Sequence, residues 1–248
     1  MSVNLYISES LQIEGLEKIV KNYDLNLVSK HPSSGSFVGF DERGFYFIED
    51  ATNLLNILHV DFLSGPMGWR LKRADHETLL KKTLGKSKDA LTIFDATAGL
   101  LSDSIIFLSL GHSVVACEQS KILHLLVQDA CKRAENELPF LKNLTFINGD
   151  SLDVYEKYKD IDVVYLDPLY PEVKKNILRS GNINSIRGLL DLENIKDRAD
   201  ELFDEFKKLD YKKIILKRPI KADQLDKNIN YQVKGKSTRF DIYLKKIT

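Results

Sequence analysis

From Leu91 onward, short apolar runs alternate with stretches of helical periodicity, and four of the runs end on an acid. Leu91–Asp95 closes on Asp95, Ser113–Cys117 is followed by Glu118, Leu144–Ile147 by Asn148-Gly149-Asp150-Ser151, and Val163–Leu166 by Asp167. Between them Ala96–Gly99 reads as a tight turn, and Leu100–Leu110 and Lys121–Ala134 read as helices. This alternation builds βαβ units, whose parallel strands deliver their carboxyl ends to one rim. The pattern therefore predicts an α/β fold with Asp95, Glu118, Asp150 and Asp167 at a common edge. Each acid alone has a plainer use as the cap of the helix that follows. A fifth strand, Lys213–Lys217, and an antiparallel hairpin of Asn230–Val233 with Arg239–Leu244 complete the sheet.

The remaining length holds a small amino-terminal α/β unit, residues 1–60, ahead of a main domain at 61–248. Phe37–Phe40 and Phe45–Ile48 read as a hairpin around Asp41-Glu42-Arg43-Gly44. Residues 61–90 read as a lead-in packed on the main domain, with a helix near Asp75–Leu84. Trp69, the only tryptophan, is expected in the core, because aromatics are mostly packing residues; base stacking is its alternative. No apolar run approaches the ~20 residues that cross a bilayer, and the first ten residues lack the charged and apolar regions of a secretion signal. Two cysteines form no disulfide framework or zinc spacing, which suits a reducing cytoplasm. The five histidines show no metal-ligand spacing, and no metal is expected. Gly85-Lys86-Ser87 and Gly235-Lys236-Ser237 lack the upstream glycine of a phosphate-binding P-loop.

The acids suit a nucleoside-containing cofactor. Gly99 lets the backbone approach a charged ligand, and Glu118, 19 residues on, can accept both ribose hydroxyl protons. NAD uses such an acid too, but Asp95-Ala96-Thr97-Ala98-Gly99 lacks the glycines of a pyrophosphate site. S-adenosylmethionine carries an amine and a sulfonium instead, which match a carboxylate-rich rim. On this reading Asp103 holds the methionine part, and Asp150 with Ser151 the adenine edge.

Val163-Val164-Tyr165-Leu166-Asp167-Pro168-Leu169-Tyr170-Pro171 carries the reacting end. Two prolines stop the strand and stiffen the turn that presents Asp167 and Tyr170. The stretch resembles the Asp-Pro-Pro-Tyr loop of methyltransferases that modify exocyclic amines of nucleobases, with Leu169 in place of the second proline. Asp167 and the Pro168 carbonyl would accept the two amine N–H bonds, and Tyr170 would stack the base. The alternative is a turn whose acid caps a helix and whose tyrosine packs on the core.

Asp95–Leu100, Glu118, Val163–Pro171, Leu216-Lys217-Arg218-Pro219 and Gly235–Tyr243 together resemble the bacterial small-subunit ribosomal RNA guanine-N2 methyltransferases of the J type, from about Gly39 to the carboxyl terminus. That family usually has Gly-Leu-Gly-Arg-Asp where this chain has Gly99-Leu100-Leu101-Ser102-Asp103, and Glu-Arg where it has Glu118-Gln119. The resemblance implies a class I, Rossmann-like fold with a mainly parallel seven-stranded sheet, S-adenosylmethionine as cofactor, and methylation of one guanosine in 16S ribosomal RNA. It implies cofactor contacts at Ser102, Asp103, Glu118, Gln119, Asp150 and Ser151, with Asp167 at the reacting end.

Net charge is zero, yet residues 1–169 hold 17 Lys and Arg against 24 Asp and Glu, whereas residues 170–248 hold 19 against 12. A local basic rim is therefore expected from Lys174, Lys175, Arg179 and Arg187 with Lys217 and Arg218, and Arg239 is expected to hold phosphate or a base edge. Their plainer reading is solvated surface. Three other functions remain open to the sequence: adenine-N6 methylation of DNA or RNA, a non-catalytic cofactor- or RNA-binding module, and an NAD-linked oxidoreductase.

Overall fold

The computed structural model describes residues 2–8, 11–85, 89–169, 181–196 and 198–245. In chain order they form β1 (Val3–Ile7), α1 (Leu16–Asn22), β2 (Leu25–Val28), β3 (Phe37–Asp41), β4 (Gly44–Ile48), β5 (Ile57–His59), α2 (Gly65–Leu71) and α3 (Thr78–Leu84). There follow β6 (Thr92–Asp95), α4 (Ser104–Ser109), β7 (Ser113–Glu118), α5 (Lys121–Ala134), β8 (Leu144–Asn148), α6 (Ser151–Tyr155) and β9 (Val163–Leu166). The last are α7 (Gly181–Leu192), α8 (Ala199–Lys208), β10 (Lys213–Pro219), β11 (Tyr231–Lys234) and β12 (Thr238–Leu244).

Two compact units result. The first comprises Met1–Phe62, Ser120–Glu137 and Glu172–Lys196; the second comprises Leu63–Gln119, Leu138–Pro171 and Asp197–Thr248. The first unit is a five-stranded sheet, β2-β1-β3-β4-β5, with β1 parallel to β2 and β3 and the rest antiparallel. Phe37, Phe47, Leu5 and Leu58 are fully buried in it. The expected hairpin is β3–β4. Its corner is fixed by Asp129 of α5, whose Oδ2 accepts from the Phe45 amide (3.1 Å) and from Arg133 Nε (2.8 Å). Gly44, at φ +109°, is required there: a Cβ would sit 2.3 Å from that carboxylate.

The second unit carries a seven-stranded sheet ordered β11-β12-β10-β9-β6-β7-β8. Strands β8, β7, β6, β9 and β10 are parallel, and β12 runs antiparallel to both β10 and β11. Four consecutive buried residues make β9 a central strand, covered on both faces as parallel sheets are. Phe94, Tyr155 and Phe206 meet edge-on at 5.1 and 5.3 Å and fill one face, joined by Phe203 against Tyr243. The strand order reverses between β6 and β9, and in open α/β sheets ligands bind outside the carboxyl ends at such a reversal.

Two expectations are corrected. The helix expected at Leu100–Leu110 begins only at Ser104, because Gly99 (φ +50°) and Leu101 (φ +57°) take left-handed conformations that helical periodicity cannot reveal. Trp69 is not core: it stands 61% exposed on α2. Gly68, beside it, is buried with its α-carbon against the Leu63 carbonyl, 2.4 Å from where a Cβ would lie, so this position has no room for a side chain.

Candidate active site

The site lies entirely in the second unit, at the β6–β9 reversal. Asp95 ends β6 with its carboxylate buried; Oδ1 accepts from the Thr97 amide (3.1 Å) and Oδ2 from the Ser104 hydroxyl (2.5 Å). Burial pushes the Asp95 carboxyl up to about 7 against the pull of these two hydrogen bonds. The turn then reaches Gly99, whose amide donates to Glu118 Oε2 at 2.9 Å and so ties the β6 turn to the end of β7. From there the rim continues to β8. The Glu118 carbonyl accepts from the Gly149 amide (3.0 Å), and Asn148 Nδ2 donates to the carbonyls of Glu118 (2.8 Å) and Gln119 (3.1 Å). Asp150 caps α6 through the Leu152 amide (2.9 Å), with Arg198 3.6 Å from its other oxygen, and Ser151 is buried beneath it.

A second set of groups meets these at the Ala96–Gly99 turn. The Asp167 amide donates to Thr97 Oγ1 at 2.7 Å, which fixes the start of the loop after β9. Asp167 Oδ2 lies 2.7 Å from Lys217 Nζ of β10, and the same ammonium lies 2.8 Å from Asp103 Oδ2. Asp103 also accepts from the Tyr165 hydroxyl (2.5 Å) and pairs through Oδ1 with Arg70 Nη2 (2.6 Å). Burial works to raise the Asp103 carboxyl, but Lys217 and Arg70 outweigh it and hold it at about 2. Asp167 shifts the other way: desolvation and the Asp103 charge raise its carboxyl, with Lys217 opposing. Burial raises the Tyr165 hydroxyl as well, so it stays a donor.

The structure thus brings Asp95, Gly99, Asp103, Glu118, Asp150 and Asp167 to one edge, with the Ser102 carbonyl held by Arg70 Nη1 (2.8 Å) and the Ser102 and Gln119 side chains exposed. Lys217, read from the sequence as a phosphate contact, is instead the cation between the two carboxylates. Arg218 is buried with its guanidinium 3.1 Å from Asp200, and Arg239 is buried against Asp241 and four backbone carbonyls, so both are engaged within the protein. Arg187 belongs to α7 in the first unit. Tyr170, Lys174, Lys175 and Arg179 lie outside the described residues. Arg70, Thr97, Ser104 and Tyr165 also belong to the site, and each reaches it by a contact that leaves no spacing or motif in the chain.

The donor set is rich in carboxylates and backbone groups and has one glycine where a diphosphate cradle needs several, which fits an amine- and sulfonium-bearing nucleoside. Among the described residues no group of three or more His, Cys, Asp or Glu could hold a metal ion, and no helix is long and apolar enough to cross a membrane.

Comparison with known proteins places the fold and the family. The chain is similar in fold to the crystal structure of a SAM-dependent methyltransferase from Neisseria gonorrhoeae, 24% identical, with 98% of this chain and 96% of that one covered at a TM-score of 0.65. A family model of SAM-dependent methyltransferases matches residues 19–245. Fold and site therefore define a class I, Rossmann-like methyltransferase, with S-adenosylmethionine as its cofactor.

Within that class, several similar proteins carry the name ribosomal RNA small subunit methyltransferase J. That of Pseudoalteromonas translucida is 33% identical over 221 residues, 86% of each chain, and that of Histophilus somni is 34% identical over 202 residues, 77% of each. That of Thioalkalivibrio sulfidiphilus is 27% identical with 96% of each covered. The chain belongs to the ribosomal RNA small subunit methyltransferase J family.

Proposed function

We propose that this chain methylates the exocyclic N2 amine of one guanosine in 16S ribosomal RNA, in the cytoplasm. The observation that carries the reading is the Lys217 ammonium, which holds Asp103 and Asp167 within hydrogen-bond reach of one nitrogen. One acid serves the cofactor end and the other the base. Asp95, Gly99, Asp103, Glu118, Asp150 and Ser151 are the residues that would hold S-adenosylmethionine, together with the backbone at Ser102 and Gln119. When bound, that cofactor supplies a methyl group made electrophilic by its sulfonium.

The rest is the work of the chain. A guanine amine is a weak nucleophile because its lone pair is delocalised into the ring. Asp167, with the Pro168 carbonyl, accepts its two N–H bonds, turns the lone pair out of conjugation, and takes up a proton as the nitrogen becomes cationic. The raised Asp167 carboxyl makes it a better proton acceptor than an ordinary aspartate, while Lys217 keeps it ionised and in place. Tyr170 then supplies a stacking face for the extruded base.

The test is transfer of tritiated methyl groups to small ribosomal subunits from cells lacking the protein, followed by nucleoside analysis. N2-methylguanosine in 16S RNA is expected. Label in N6-methyladenosine would replace the guanine reading with the adenine one. Binding of the cofactor without transfer to any nucleic acid would leave a binding module.

A further inference from the structure

Outside the acid rim, the most conspicuous unexplained group is the indole of Trp69. At 61% exposure on a short helix it presents a large amphipathic aromatic face to solvent. Gly68, beside it, is the buried residue of the helix and lies against the Leu63 backbone. The ring is also organised. The Arg73 guanidinium lies 4.7 Å from its centroid, and Leu63, also 39% exposed, precedes it on the same segment. Residues 63–73 carry three cations, Arg70, Lys72 and Arg73, and no acid. Of these, Lys72 and Arg73 are exposed, whereas Arg70 turns inward to Asp103 and the Ser102 carbonyl. Trp69 is therefore one residue along the backbone from a side chain bonded to the cofactor-end acid.

We propose that Trp69 is a stacking platform for an unpaired nucleobase of the RNA substrate, flanking the nucleotide that enters the site, with Lys72 and Arg73 on the adjoining phosphates. The proposal rests on the RNA reading above and adds the place where the strand is gripped. Extruding a base for chemistry at its edge leaves its neighbour without a stacking partner, and an aromatic face beside a positive rim restores one without regard to sequence. Charge selects the occupant: a row of cations beside an aromatic ring suits a polyanion that carries flat bases.

Because Trp69 is the only tryptophan, its emission reports on this platform alone. The probe is a mixed-sequence single-stranded oligoribonucleotide, with the same sequence as a duplex for comparison. Single strands should quench and saturate the emission, and the duplex should not. In methyl transfer to small ribosomal subunits, Trp69→Ala should raise KM for the subunit about tenfold, with the effect on KM rather than kcat and cofactor affinity unchanged, and Trp69→Phe should recover most of the loss. Unquenched emission with an unchanged subunit KM would overturn the platform and leave the methyltransferase reading standing. Quenching by single strands in a protein that methylates no subunit would keep the platform and remove the ribosomal substrate.

Discussion

Lys217 sets the electrostatics of the site. Two carboxylates on one ammonium would each be raised by the other if the cation were absent, so the single positive charge keeps both acids usable at neutral pH. Its position on β10, 50 residues beyond Asp167, gives no hint in the sequence that the two meet. Leu101 illustrates a different residue-scale compromise. It is fully buried, yet its φ of +57° is one that a side chain with a Cβ resists by roughly 1–2 kcal/mol. Removing the side chain forfeits burial worth about 1.5–3 kcal/mol but frees the backbone only if glycine replaces it. The usual order is therefore inverted. In urea titrations Leu101→Gly should be more stable than Leu101→Ala by about 1 kcal/mol, with both below the parent. An alanine variant equal to or better than the glycine one would refute the strain assigned to this position.

At the scale of elements, the strands that form the rim are readable because each short apolar run closes at or just before an acid or a turn residue. Asp95, Glu118 and Asp167 lie at strand ends in the chain and in the structure alike. The helices were less readable. Leu100–Leu110 has apolar spacing throughout, but α4 waits for the left-handed turn to finish and for Asp103 to occupy the cap position. Arg239 shows a related limit: a cation in a motif shared with RNA enzymes looks like a ligand contact until its partners are counted. It pairs with both Asp241 oxygens and donates to the carbonyls of Pro219, Ile220, Ala222 and Asp223, which pins the chain leaving β10 against β12. Arg239→Met would strand a buried carboxylate and several carbonyls at once. It should cost about 3 kcal/mol or more by chemical denaturation. A loss of RNA affinity with stability unchanged would return Arg239 to the substrate.

For the molecule as a whole, two buried acids make opposite demands on pH. Asp103, held at about 2, contributes stability that is present above its ordinary value near 3.8 and is lost as pH falls through 2. Asp95, raised to about 7, contributes stability that is present below 3.8 and is lost as pH rises through 7. Asp95→Asn should therefore gain on the parent as pH climbs from 4 to 8 in a series of urea titrations; parallel curves would mean that Asp95 ionises normally. The site tolerates that strained charge because the acids of β6, β7, β8 and β9 are needed together at one edge. The central claim is that the last of them, Asp167, acts on the incoming amine and not on the cofactor. The most direct test is the single-turnover rate of methyl transfer to small ribosomal subunits by Asp167→Ala, with cofactor affinity measured in parallel. The account predicts a fall of at least about a hundredfold in rate, within the ~10²–10⁴ range of proton-transfer groups, with cofactor affinity within about tenfold of the parent. A rate within about threefold of the parent, or a loss explained wholly by failure to bind the cofactor, would contradict it.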